Sequence, residues 1–340
     1  MKAVKVMLLV VLMGIVASVS VFASGQTESG SAQKKQLVFG NIAFSMKDVW
    51  NNYSTEAFKF AAKQKGVDTV VLDAQGDSGK ALAAMEDLIN RHVDGISVFT
   101  VTPELDARVA KMANDAGIPV TFENSKPAEG DFNYLSVVAA QYSDIGYAAG
   151  KYISQTWPGS KLFYVMGQPG MNIVEPYMEG LQRGLKEFNT VELVGSQPTD
   201  WGAEQAMNVT QNFIQSGKDF DVIFANNEQM AQGVMNALKD AGLFGKIKIV
   251  STGGGPPGLE MVRKGEIDAT MSAPVSIQGI VTFYNLYNYI VDKKEPPKKF
   301  IPLPIIPVTK DNIAQAVSWE PSQSAVDYSI KYLNDLGKSM

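Results

Sequence analysis

The chain has 340 residues, of which 45% are apolar and 19% are charged, a composition typical of a soluble globular protein long enough for two domains. The net charge is −5 and the basic residues form no cluster, which argues against a nucleic acid as partner. The absence of cysteine excludes disulfides and thiol chemistry.

The first 35 residues predict export rather than a fold. Two lysines precede an apolar run from Val6 to Val19, and the V-F-A stretch ending at Ala23 is typical of a cleavage site. We therefore predict a signal peptide over residues 1–23 and a flexible tether, rich in Ser, Gly and Gln, over residues 24–35. An uncleaved anchor is the alternative, although the apolar run is short for a ~30 Å hydrocarbon core. Without cysteine, the usual lipoprotein anchor is impossible.

From residue 36 onwards, predicted strands alternate with predicted helices. The first run has strands at residues 37–42, 67–73, 94–99 and 118–122, with helices at residues 49–65, 80–90 and 105–116 between them. This alternation, with Gly, Asp and Asn at the strand ends, is typical of a parallel sheet that helices cover on both faces.

The same rhythm then starts again. The second run has strands at residues 134–138, 161–166, 191–195, 221–225 and 246–250, with helices at residues 145–155, 177–187, 204–215 and 230–241. A helix at residues 277–291, a Pro-rich extended stretch at 298–307 and a helix at 322–336 follow. The pattern predicts an α/β protein with two open parallel-sheet lobes, and a ligand site in the cleft that the carboxyl ends of the strands face.

A glycine-rich loop, Ser251–Leu259, lies between a predicted strand and a predicted helix, which is the layout of a phosphate-binding loop. A P-loop needs Gly-Lys-Ser/Thr after its glycines, and a dinucleotide-binding loop follows the first strand of its unit. The sequence meets neither condition. An exported nucleotide- or cofactor-dependent enzyme is therefore only the alternative hypothesis, and we expect no cofactor.

Several segments in this order resemble the ribose-type periplasmic sugar-binding proteins, the substrate-binding components of bacterial ABC importers. The resemblance spans about residues 37–307 and rests on Thr69–Asp77, Val93–Pro103, Ala113–Val120, Gln197–Trp201, Val222–Gly233 and Lys264–Thr270. It implies a type I periplasmic binding protein fold, in which a three-segment hinge joins two lobes around the ligand. Lactose-repressor-type regulators share this core, but a signal peptide stands here where they carry a DNA-binding helix pair.

The resemblance also implies domain boundaries. The chain would cross between the lobes near Ala140, Pro274 and Val308. Lobe one would comprise residues 36–140 and 275–307, and lobe two residues 141–273 and 308–340, which include the C-terminal helix.

A sugar site needs flat apolar surfaces and converging polar groups. The family places aromatic rings at the positions of Trp50 and Trp201 and an asparagine at the position of Asn227, although Asn227 could instead cap a helix. Asn41 and Asn172 follow strands and are further candidates. His92, the only histidine, is predicted to be structural, and no metal site is expected.

Elsewhere the chain departs from the family pattern. An Asp-Arg pair is replaced by Glu123 and Asn124, and a second arginine by Tyr177; these three residues are kept as candidates. A family aspartate falls on Gly253, so that Gly253 and Gly254 would offer N–H groups or space to the ligand. These losses indicate a ligand that differs from the usual pentoses and hexoses.

The predicted function is that of an exported, periplasmic solute-binding protein. It would capture a sugar or sugar-like polyol and deliver it to a membrane ABC permease, without chemical turnover. A ligand sensor that serves a chemoreceptor is a related alternative, and we expect a monomer.

Overall fold

The computed structural model describes residues 35–100, 102–170 and 173–338. The predicted signal peptide and nearly all of the predicted tether lie outside these residues, and so does Asn172. The strands are β1 Val38–Ala43, β2 Asp68–Asp73, β3 Gly95–Phe99, β4 Val120–Glu123, β5 Val137–Ala139, β6 Lys161–Met166, β7 Glu192–Pro198, β8 Val222–Ala225, β9 Lys248–Gly253, β10 Ala269–Ser272, β11 Phe300–Pro302 and β12 Ile306–Thr309. The α-helices are α1 Val49–Gln64, α2 Ser78–Asn90, α3 Pro103–Asp115, α4 Tyr142–Thr156, α5 Val174–Phe188, α6 Ala203–Gln215, α7 Glu228–Asp240, α8 Pro256–Lys264, α9 Val275–Tyr287 and α10 Gln323–Lys338.

The strands form two separate six-stranded sheets. The first has the order β11-β5-β4-β3-β1-β2, and all of its pairs are parallel. The second has the order β12-β10-β9-β8-β6-β7, and only β12 runs antiparallel to its neighbour. Helices cover both faces of each sheet, so the predicted two-lobed α/β fold is confirmed.

Local sequence explains where the helices next to the cleft begin. The Asp48 carboxylate accepts a hydrogen bond from Asn51 N at 2.8 Å and so caps α1, and Asn227 Oδ1 accepts one from Met230 N at 2.7 Å and so caps α7. Pro256 opens α8, where its missing N–H costs nothing, and Gly265 ends it in the left-handed conformation. Both caps lie directly after a strand and its loop, so they also fix the residues that face the other lobe.

Three chain crossings connect the lobes as far as β12. Between β5 and α4 the chain passes to the second sheet, between β10 and α9 it returns, and between Pro302 and Ile306 it crosses again. Helix α9 packs against α1, and residues 275–286 are buried throughout. Lobe one is therefore built by the first sheet with α1, α2, α3 and α9, and lobe two by the second sheet with α4 to α8.

The C-terminal helix corrects one sequence-based assignment. We expected all of residues 308–340 to join lobe two, but α10 packs against α9 of lobe one. Tyr332 OH donates to Pro302 O at 2.6 Å, and Gln64 Nε2 donates to Gln323 Oε1 at 2.8 Å. The physical reason is that residues 275–286 of α9 are buried on every side and need cover, which the buried Val326 and Leu333 of α10 help to provide. The chain thus crosses between the lobes a fourth time, after β12.

Candidate functional site

A cavity of about 360 Å³ lies between the two lobes. About half of its lining residues lie at or just after the carboxyl ends of β1, β3 and β4 in lobe one and of β8, β9 and β10 in lobe two. It is lined by Phe44, Ser45, Asp48, Trp50, Asn51, Phe99, Asn124, Ala140, Tyr142, Ile145, Ile173, Tyr177, Trp201, Asn226, Asn227, Glu228, Thr252, Gly253, Ala273 and Trp319. Parallel α/β sheets place ligands at this edge of their strands.

Aromatic rings form much of the wall. They are Phe44, Trp50, Phe99, Tyr142, Tyr177, Trp201 and Trp319. The backbone of Trp201 is in the left-handed region, with φ 72°, and its indole lies against Gly167. A Cβ at position 167 would come within 2.2 Å of that ring, so only glycine lets the indole take this place.

Three residues that line the cavity each carry a buried N–H donor that has no partner in the described part of the protein. The donors are Trp50 Nε1, Asn51 Nδ2 and Asn226 Nδ2. The other end of each asparagine is fixed: Asn51 Oδ1 accepts from Ser45 N at 2.8 Å, and Asn226 Oδ1 accepts from Tyr164 OH at 2.8 Å and from Gly167 N at 2.9 Å. A buried donor without a partner costs about 1–3 kcal/mol, which a ligand acceptor atom would offset.

The glycine-rich loop encloses the half-buried carboxylate of Glu228, the first residue of α7. Gly255 N donates to Glu228 Oε1 at 3.0 Å. Gly253 has φ 119°, and a Cβ there would lie 2.6 Å from Glu228 Oε2; a Cβ on Gly258 would lie 2.4 Å from Oε1. The loop therefore holds a carboxylate of the protein itself in the place where a phosphate loop would hold a ligand.

Burial raises the pKa of the Glu228 carboxyl from its ordinary 4.5 to about 7, although the N–H groups of Gly254, Gly255 and Glu228 itself act in the opposite direction. Gly254 has φ 74° and does not line the cavity. A Cβ on it would overlap Ser272 Oγ at 2.0 Å, so this glycine serves the contact between the loop and β10.

Tyr177 is buried and forms part of the lobe-two wall. Its OH lies 3.2 Å from Thr252 Oγ1, and its ring centroid lies 5.4 Å from that of Tyr142. Thr252 Oγ1 in turn donates to Asn226 O at 2.6 Å. Burial raises the pKa of Tyr177 far above its ordinary value, so the phenol stays neutral and available as a hydrogen-bonding group.

Asn227 lines the cavity, but both ends of its amide are already engaged. Its Oδ1 caps α7, and its Nδ2 donates to Trp201 O at 3.2 Å. Asn227 therefore positions Trp201 and caps α7, which is the alternative role that the sequence left open for it. Asn124 also lines the cavity, with φ 68°, just beyond β4.

Glu123 and Asn41 do not line the cavity, which corrects their prediction as ligand-binding residues. Glu123 is 1% exposed and lies inside lobe one, where it accepts hydrogen bonds from Ser54 Oγ, from Ser97 Oγ at 2.6 Å and from Thr282 Oγ1 at 3.3 Å. Asn41 Nδ2 lies 3.5 Å from the same carboxylate. Their side chains point from the sheet towards α1 and α9. They therefore join the sheet of lobe one to these two helices and do not face the cleft.

Among the residues that line the cavity, sequence reasoning missed Asn51, Asn226, Thr252 and Trp319. Asn226 and Thr252 could have been found, because each lies at the carboxyl end of a strand, as Asn227 does. Trp319 gave no such signal: it follows β12 by ten residues, in a stretch without periodicity.

The cavity contains no cationic side chain among the described residues that line it. Over residues 35–100, 102–170 and 173–338, no group of three or more His, Cys, Asp or Glu side chains could hold a metal ion. Within the same ranges, no helix combines the length and the apolar character needed to cross a membrane.

Comparisons with known proteins agree on one family. The profile described as the periplasmic binding protein domain matches residues 39–294. The ribose import binding protein of Salmonella typhimurium is 31% identical over 260 residues, which are 75% of this chain and 84% of that protein. The D-allose-binding periplasmic protein of Escherichia coli is 27% identical over 215 residues, 61% of this chain and 68% of that protein. The crystal structure of a periplasmic ribose ABC transporter protein from Conexibacter woesei has the same fold, with a TM-score of 0.72 at 24% identity over 84% of this chain and 96% of that one.

Proposed function

Since the chain belongs to the periplasmic binding protein family, we propose that it binds a neutral sugar or sugar-like polyol between its lobes and delivers it to an ABC import permease. The observation that carries this proposal is the inter-lobe cavity, whose walls are rich in aromatic rings and whose lining residues carry three buried N–H donors without a partner among the described residues. Its volume of about 360 Å³ lies in the range of small-molecule sites, ~300–1,000 Å³.

The chemistry of the walls matches a carbohydrate ring. Trp50, Trp201 and Trp319 offer flat faces to C–H groups. Trp50 Nε1, Asn51 Nδ2 and Asn226 Nδ2 are donors for hydroxyl or ring oxygens, and the Glu228 carboxylate is an acceptor for hydroxyl protons. Donors and acceptors on both lobes would be satisfied together only when one ligand spans the cleft.

The charges that line the cavity argue against an anionic ligand. Asp48 and Glu228 are the acidic groups of the wall, and no Lys, Arg or His among the described lining residues balances them. A sugar phosphate or a sugar acid would lose its hydration beside a carboxylate without gaining a cation. Selection of neutral ligands over their anionic counterparts is therefore part of the proposal.

The proposed mechanism is binding and closure, with no bond made or broken. The lobes close over the ligand around the crossing segments, and the permease recognises the closed form. The curated relatives carry names of periplasmic and import binding proteins; for this chain we propose the periplasm as the location, reached through the predicted signal peptide. A monomeric state and an additional role in chemoreception belong to the same proposal.

The test is a thermal-shift screen followed by titration calorimetry. D-ribose, D-allose and myo-inositol are the neutral probes, and D-ribose 5-phosphate is the matched anion. A ligand that binds only the folded protein raises its Tm, so at least one neutral probe should raise the Tm and the phosphate should not. If a broad panel of neutral sugars and polyols gave neither a shift nor heat, the proposed function would be wrong.

A further inference from the structure

Trp319, which lines the cavity, lies outside the part of the chain that matches the family. Trp319 lies after β12, and the family profile matches residues 39–294 only. The segment starts in lobe two, where the 3₁₀ turn Ile313–Gln315 contacts α8, and it leads to α10 on lobe one. We call residues 316–322 the strap, because they cross between the lobes at the cavity.

Trp319 is bonded to lobe two through the glycine-rich loop. Its Nε1 donates to Gly253 O at 3.0 Å. A Cβ on Gly255 would lie 3.5 Å from the indole, so the ring lies directly beside this glycine. The same loop holds Glu228 through Gly255 N, so the strap and the cavity carboxylate are fixed by neighbouring peptide groups.

Trp319 also packs on lobe one. Its ring makes edge contacts with Trp50 at a centroid distance of 5.0 Å and with Tyr53 at 5.9 Å, both on α1. Next to it, Ser276 Oγ of α9 donates to Ser318 O at 2.6 Å, and Val317 is 5% exposed. Edge-to-face aromatic pairs contribute about 0.5–1.5 kcal/mol each beyond the area that they bury.

We infer that Trp319 is a ligand-binding residue and that the strap ties the two lobes together at the cavity. The Trp319 indole contacts both lobes and lines the cavity between them. Its position therefore depends both on the bound ligand and on the distance between the lobes. Its ring faces the cavity beside Trp50, where it restricts the shape of the bound ligand. The ligand-binding part of this inference rests on the proposed function; the tie between the lobes does not.

The experiment compares Trp319→Ala and Trp319→Phe with the wild type. Trp319→Phe keeps an aromatic ring but removes the N–H that reaches Gly253. Trp157→Phe is the matched control, since Trp157 does not line the cavity and packs on Tyr152 at 5.6 Å. Circular dichroism melting checks that each variant folds; if Trp319→Ala does not, Trp319→Phe decides both parts of the inference.

The lobe distance is measured without any ligand, by electron paramagnetic resonance between two spin labels. The chain has no cysteine, so Glu86→Cys on α2 and Asn208→Cys on α6, both exposed, give one labelled site on each lobe. We expect a single narrow distance distribution for the wild type and the Trp157→Phe control, and a broader one for both Trp319 variants. Distributions that do not change in the Trp319 variants would overturn the tie.

Affinity is measured by calorimetry with whichever of D-ribose, D-allose and myo-inositol the wild type binds. Trp319→Ala should raise the Kd at least tenfold, Trp319→Phe should raise it less, and Trp157→Phe should leave it within about twofold. A wild-type Kd in Trp319→Ala would overturn the ligand contact. If the wild type bound none of the three probes and no member of a broader panel, the proposed function would fail and the contact of Trp319 with the ligand would fail with it, while the distance measurement would still decide the tie.

Discussion

Two carboxyls, Glu228 and Asp106, have strongly raised pKa values and should make this protein less stable as the pH rises. Of the two, only Glu228 lines the cavity. Glu228 has a pKa of about 7 in place of 4.5, and Asp106, buried in α3, has a pKa of about 7 in place of 3.8. In both, burial of the charged form is the main cause. The folded protein therefore holds these protons at pH values where the unfolded chain has already lost them.

The sign follows from proton linkage. Where the folded state binds more protons than the unfolded state, the free energy of unfolding falls as the pH rises. The fall begins near pH 4 and is complete above about pH 7, the folded pKa of both groups. At about 1.4 kcal/mol per pKa unit, Glu228 accounts for at most about 3 kcal/mol, and less if water reaches the half-buried carboxylate.

Urea unfolding of the wild type, Glu228→Gln and Asp106→Asn at pH 5, 6, 7 and 8 tests this reasoning. Each variant should flatten the pH dependence in part, because the amide cannot lose a proton. The two should differ in function: Glu228→Gln should weaken binding of a neutral sugar roughly tenfold, on the ~1.5–3 kcal/mol scale of hydrogen bonds to charged groups, whereas Asp106→Asn, away from the cavity, should leave the Kd unchanged. A wild-type pH slope in Glu228→Gln would refute the raised pKa.

Three further predictions follow from single contacts. Trp201→Ala should raise the Kd more than about tenfold in calorimetry, and Trp157→Phe should not, because only Trp201 lines the cavity; an equal effect of both would contradict the site. Gly254→Ala should destabilise the protein by more than the ~1–2 kcal/mol of left-handed strain in urea unfolding, since its Cβ would overlap Ser272 Oγ; the control Gly217→Ala, with φ 69° and nothing within 4 Å of its Cβ, should cost the strain alone. Glu123→Ala should lower the free energy of unfolding by about 2–4 kcal/mol, because it leaves buried donors unpaired, with a less than threefold change in Kd; a large loss of affinity without destabilisation would return Glu123 to the binding site.

The fold could be predicted from the sequence because its signals are local and repeated. Each predicted strand is a short apolar run and each predicted helix carries an apolar stripe, so β1 to β9 and α1 to α9 correspond to predicted elements, whereas β10 was not predicted. The place of α10 could not be predicted in this way. Its sequence shows an apolar face but not which lobe that face covers, and the answer depends on the burial of α9 on every side, which is a tertiary property.

The candidate site could be predicted in part, from the family resemblance for Trp50, Trp201 and Tyr177 and from position along a strand elsewhere. Trp201, Tyr177 and Asn227 lie near the cleft edge of lobe two and line the cavity, as does Asn124 in lobe one. Glu123 comes one residue before Asn124, and the alternation of side chains along β4 turns it into the lobe core. Two neighbouring residues at the end of one strand thus have different places: Glu123 lies in the lobe core and Asn124 lines the cavity. The residue types alone do not show which of the two faces the cavity.

The glycine at position 253 leaves the space that the Glu228 carboxylate occupies. The resemblance to ribose-type proteins places an aspartate at 253, and its loss first indicated that the carboxylate of the site was missing. In the structure a Cβ at 253 would lie 2.6 Å from Glu228 Oε2, so a side chain there would displace the Glu228 carboxylate from this position. A carboxylate still reaches the cavity beside β9, but it comes from the first turn of α7, where the helix N-terminus and the N–H of Gly255 hold it. Under the proposed function, the acceptor for ligand hydroxyls would therefore come from α7 and not from the end of β9.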